Sequence, residues 1–125
     1  DVNQQGVEVV LYKRSAYDLW LKDNYTAPTY QRVESINESV TAFEEGQGDV
    51  LACLKPKLMA MRSDNPNYRI IDPPFTAIRQ AIGLNKGHTE ALGFVNETIA
   101  DLLANGFVAD SLKRHGVENK LSLPS

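Results

Sequence analysis

The 125-residue sequence has one cysteine, two methionines and one tryptophan, and its apolar runs are short. Cys53 alone allows no intrachain disulfide, so cysteine usage does not mark a redox compartment. The longest apolar runs, "VVLY" and "DVLACL", fall far short of the roughly 20 residues that a membrane-spanning helix needs. Cations are not in excess: 13 Lys and Arg against 16 Asp and Glu give a net charge of −3, which argues against a nucleic-acid partner. The sequence has no phosphate loop, no repeat and no low-complexity stretch. His88 and His115 stand apart without a spaced Cys, His or Asp set, so no metal site is expected. Nor can a Ser-His-Asp or Cys-His arrangement be assembled, and the chain reads as non-catalytic and without a cofactor. It starts at Asp1 with neither Met nor a secretory leader, as a mature form or a piece of a longer protein would.

What is present is a regular alternation of segments. "VEVVLY" at 7–12 is β-branched and aromatic, which predicts a buried strand. Ser15 then opens an S-x-x-D capping box with Asp18, and Leu19, Trp20 and Leu21 give the following helix an apolar side to about Asp23. "TYQRV" at 29–33 reads as a short strand. Ser35 and Glu38 form a second capping box, and Ile36, Val40 and Phe43 share one face of a helix ending near Gly46. "DVLACL" at 49–54 has the length and continuity of a strand covered on both faces. Pro56 suits the first turn of a third helix, "KPKLMAMRS". "YRIID" at 68–72 is expected as another strand, stopped by Pro73 and Pro74. This β-α-β-α-β-α-β order predicts an α/β fold with a mostly parallel sheet and helical crossovers.

The remainder changes character. "AIRQAIGL" at 77–84 is expected as one more strand. A long helix opens near Thr89 with Leu92, Val95, Ile99, Leu102 and Leu103 as its apolar stripe, and "FVADSLKRHG" gives a shorter one. That stripe needs cover, either from the first 76 residues or across a homodimer interface.

The segments "RSAYDLWL", "ESINESVTAFEEGQGDVLACLKPKL", "YRIIDPPFTAIRQAIGLNKG" and "LGFVNETIADLLANGFVADSLKRHGV" together resemble the later part of a family 3 extracellular solute-binding protein. That class serves ABC amino-acid importers. The resemblance implies a periplasmic-binding-protein type 2-like lobe in residues 1–76. Residues 77–125 would then supply a return strand and C-terminal helices that complete a larger lobe, whose first half has no counterpart here. It implies a periplasmic or extracellular protein that traps a small polar or anionic solute, amino-acid-like or an organic acid, and passes it to a membrane permease. If the chain is a piece of a longer protein, a homodimer is the alternative partner. Some relatives of the fold are enzymes, such as cyclohexadienyl dehydratases, and a sensory ligand-binding domain is a further alternative.

The candidate site lies at two helix starts. Free N–H groups and the helix dipole near Ser15 and Ala16 suit an anion, and Arg14 would either sharpen or block that site. Lys55 and Lys57 flank Pro56 where cations oppose the dipole, which points to an anion nearby. By the resemblance, amino-acid binders carry Gly where Arg14 stands and an Asp for the ligand ammonium where Leu54 stands. The resemblance also sets Gln80 at a cleft lining. A leucine cannot pair with an ammonium group, so the expected solute is less an α-amino acid than an anion.

Overall fold

At the centre of the first unit is a strand whose three middle residues water does not reach. β1 (Glu8–Tyr12) carries Val9, Val10 and Leu11, none more than 1% exposed, and it is the middle strand of a parallel sheet ordered β2-β1-β3. β2 (Thr29–Val33) pairs on one side with Val9 opposite Tyr30 and Leu11 opposite Arg32. β3 (Val50–Ala52) pairs on the other with Val10 opposite Leu51. The computed structural model describes residues 1–124, and the chain divides into two units, Asp1–Ile78 and Arg79–Ser125.

Successive residues of a strand face opposite sides, so β1 needs cover on both. α1 (Ala16–Asn24) brings Tyr17 and Leu21 onto the face of Val9, Leu11 and Ala52. α2 (Ile36–Glu44) and α3 (Lys55–Asp64) cover the opposite face, where Val10, Val40, Ala42, Leu51, Cys53 and Met61 form one cluster. Each fully buried Val or Leu contributes roughly 1.5–3 kcal/mol, so this short strand carries much of the first unit's stability. The chain is thus α/β, with helices on both faces of a three-stranded parallel sheet.

In the second unit, α4 (Thr89–Ala104) and α5 (Phe107–Arg114) pack on each other. Neither contains a buried residue: Leu92 and Phe94 are exposed, and Val95, Ile99, Leu102 and Leu103 are half-buried.

Two expected strands do not form. Residues 68–72 and 77–84 have no strand pairing. A strand persists only where a ladder satisfies its backbone groups, and among the described residues of the second unit no other strand receives 77–84. Residues 68–72 run into Pro73 and Pro74, and only Tyr68 is anchored, against Phe43 at 5.4 Å. β3 is also shorter than the expected 49–54. Asp49 is spent on sealing the sheet, its carboxylate accepting from Glu8 N and its amide donating to Glu8 O, each at 2.9 Å. At the other end Leu54 already caps α3.

Gly48 makes that seal possible. Its φ is +75°, and a Cβ there would lie 2.5 Å from Val10 Cγ2 and 3.3 Å from Glu8 O. Gly48→Ala combines a left-handed backbone with overpacking of the central strand. It should cost about 2–4 kcal/mol in chemical denaturation, and a loss under about 0.5 kcal/mol would contradict this.

Candidate functional site

The turn from β1 into α1 is held by one carboxylate. Arg14 adopts a left-handed backbone with φ 58°, unusual for a residue with a side chain. Its amide donates to Asp18 Oδ2 at 2.8 Å, while Asp18 Oδ1 accepts from Arg32 Nε at 2.8 Å. Ser15 Oγ donates to Tyr12 O at 2.8 Å and accepts from Asp18 N at 3.1 Å. In a standard capping box the acidic residue reaches the N-cap amide. Here Asp18 reaches one residue further back. Among the described residues the Ser15 amide is consequently left free, and those of Ala16 and Tyr17 also have no protein acceptor.

α3 starts differently. Leu54 is its N-cap and offers no side-chain oxygen, Lys55 and Pro56 follow, and no acidic residue sits in the first turn. Leu54 and Lys55 are exposed, and Lys55 forms no ion pair among the described residues. Lys57 turns toward the start of α2, where it lines a cleft of about 430 Å³ with Tyr12, Ser35 and Asn37.

These two helix starts are neighbours because β1 and β3 are adjacent and parallel, and both helices leave from carboxyl ends of strands. From β1 the chain goes first to β2 on one side and then across to β3 on the other, with α1 and α3 on opposite faces. In open α/β sheets the crevice at such a reversal of strand order is where ligands bind. Ser15, Ala16, Leu54 and Lys55 therefore stand at the carboxyl ends of the adjacent strands β1 and β3, on opposite faces of the sheet. Arg14 lines a separate groove on the α1–β2 flank, with Lys22 and Arg32. Gln80 is exposed in the second unit and belongs to no regular element.

Between the two starts lies a buried pair, Tyr17 and Cys53, 4% and 8% exposed. The Tyr17 hydroxyl makes no hydrogen bond of good geometry, although the Cys53 thiol and the Ser15 hydroxyl are near it. Burial, with the nearby Cys53, pushes Tyr17 up from 10.0 to about 12. Burial likewise pushes the Cys53 thiol up, so it stays protonated at neutral pH and is a poor nucleophile. Tyr30 is also raised, chiefly by burial, while its hydroxyl donates to Tyr25 O at 2.6 Å.

Sequence reasoning found both helix starts but missed two organising residues. Asp18 was legible only as a cap, and the box spacing does not reveal that its second oxygen holds Arg32. Arg32 has no signal in its own segment beyond sharing a strand face with Tyr30. Among the described residues no group of three His, Cys, Asp or Glu comes together to hold a metal. No protein-family model matches the chain, and no curated protein matches it.

Two outcomes follow from this geometry. Asp18→Asn keeps the shape but weakens the charge-assisted bonds to Arg32 and the Arg14 amide, so it should cost about 1–3 kcal/mol and move the Arg14 amide resonance. An unmoved resonance would show that Asp18 does not hold the turn. Tyr17→Phe removes an orphaned hydroxyl and should leave stability at neutral pH unchanged or higher. Because the folded-state value is raised, Tyr17's contribution is intact below about pH 10 and is lost as pH rises to about 12. Alkaline unfolding of the Phe variant should therefore fall less steeply across that window, and parallel curves would refute the assignment.

Proposed function

We propose that this chain is part of the solute-binding component of an ABC importer, with its first unit forming a lobe of the periplasmic-binding-protein type 2 kind. It works in the periplasm or outside the cell and delivers its solute to a membrane permease. One observation carries this reading: two helix starts, with amides and a lysine that have no partner among the described residues, follow the adjacent strands at the strand-order reversal of a parallel sheet. The sequence resemblance supports it independently.

The solute is small and anionic. The amides of Ser15, Ala16 and Tyr17 and the ammonium of Lys55 supply positive potential, and the first turn of α3 carries no acidic residue, with Leu54 as its N-cap. Organic acids therefore fit better than α-amino acids. Transport capture then works by population shift, because a solute that contacts this lobe and an opposing surface only in a closed state favours closure.

Thermal-shift titration of the chain with organic acids and with amino acids tests this. An acid such as succinate should raise Tm, and Lys55→Gln should abolish the shift. Leu54→Asp should raise basal stability by about 0.5–2 kcal/mol through capping and turn preference toward amino acids. If no organic acid shifts Tm and Lys55→Gln changes nothing, the reading fails.

A further inference from the structure

A second basic feature lies away from the crevice. A groove of about 640 Å³, open along one side, separates α1 from the sheet edge formed by β2. Arg14, Asp18 and Lys22 line one wall at four-residue spacing, with Tyr25 beyond them. Tyr30 and Arg32, two residues apart on the same face of β2, line the other. Four cations, Lys13, Arg14, Lys22 and Arg32, border this groove on a chain whose net charge is −3. The one carboxylate among the lining residues is already committed. Asp18 has both oxygens spent, on the Arg14 amide and on Arg32 Nε.

Arg32 is the most fixed of these cations. Asp18 holds its Nε, and its guanidinium lies 5.0 Å from the centre of the Tyr30 ring. Its terminal nitrogens have no acceptor among the described residues, and neither Arg14 nor Lys22 forms an ion pair there. Lys13 is paired with Glu34.

The backbone beside this groove is also unpaired. Thr29 N donates to Val7 O and Lys13 N to Val33 O, so in the parallel register residues 29, 31 and 33 face β1. Tyr30 and Arg32 therefore turn their N–H and C=O groups to the free edge.

We propose that this groove receives an extended acidic segment of a partner protein, added as a strand to the free edge of β2. Main-chain bonds from Tyr30 and Arg32 provide affinity, and every second side chain of the added strand faces α1. Carboxylates at those positions meet Arg14, Lys22 and Arg32. The open side disfavours a small anion, since small-ligand sites enclose most of the ligand surface. The proposal is independent of the solute reading, because Lys22, Tyr30 and Arg32 take no part in the crevice.

The test uses the full chain and a fluorescein-labelled octapeptide of alternating Glu and Thr, with a Gln-Thr octapeptide as control. The acidic peptide should bind saturably by fluorescence anisotropy and weaken as salt screens the contacts. Lys22→Glu should weaken it about three- to tenfold, while Lys113→Glu on α5 should not. In amide-resolved NMR the Tyr30 and Arg32 N–H groups should shift and exchange more slowly on binding. Equal affinity for the Gln peptide, no binding at about 1 mM, or shifts that spare Tyr30 and Arg32 would overturn the proposal. So would pyrophosphate binding at the same residues without peptide binding, which would make the groove a small-anion site. Should Lys22→Glu fail to fold, the amide map of the unaltered chain decides alone.

Discussion

The arrangement depends on one buried carboxylate doing two jobs at once. Asp18 is 5% exposed, and removing such a group from water is costly unless its two oxygens find strong donors. It finds them in the Arg14 amide and the Arg32 guanidinium, which belong to the turn after β1 and to the edge strand β2. A single residue of α1 thereby fixes where its own helix begins, how the preceding turn is wound and how the sheet edge is held. The left-handed backbone at Arg14 is strained by about 1–2 kcal/mol in isolation, and the charge-assisted bond to its amide is of a size to offset that.

This also accounts for the unsatisfied helix start. Had Asp18 reached the Ser15 amide, the capping box would have closed and less positive potential would face the crevice. By reaching one residue further, it leaves the Ser15 amide free beside those of Ala16 and Tyr17, which any such helix start leaves free, at the carboxyl end of the central strand. α3 arrives beside them with no cap oxygen and with a lysine in its first turn. The start of α1 is capped by Ser15 Oγ alone, and that of α3 has no side-chain cap. Both are open to an external acceptor.

Much of the first unit was legible in the sequence because its signals are local. The run around Val9, Val10 and Leu11, the Ser15 and Ser35 caps and the Pro56 helix start each depend on neighbours within a few residues, and each produces the expected element. The failures at 68–72 and 77–84 share a cause: strand character in a segment does not supply a partner strand, and the partner is a long-range fact. The pairing of Asp18 with Arg32, fourteen residues apart, escaped for the same reason. Arg14 shows a subtler limit, since its neighbours reveal the turn but not the groove toward which the left-handed backbone directs it.

The two basic features are distinguished by what holds their cations. Around the crevice, positive potential comes mainly from backbone amides, which are fixed by the helix and lose no side-chain freedom when they bind. Lys55 adds a flexible ammonium that opposes the α3 dipole, and an arriving anion would relieve that opposition. On the flank the potential comes from side chains, and only Arg32 is immobilised, between Asp18 and Tyr30. A preorganised site of fixed amides suits a compact solute that must be selected by shape. A row of mobile cations beside an unpaired strand edge suits a longer ligand, whose main chain supplies the register that the side chains lack.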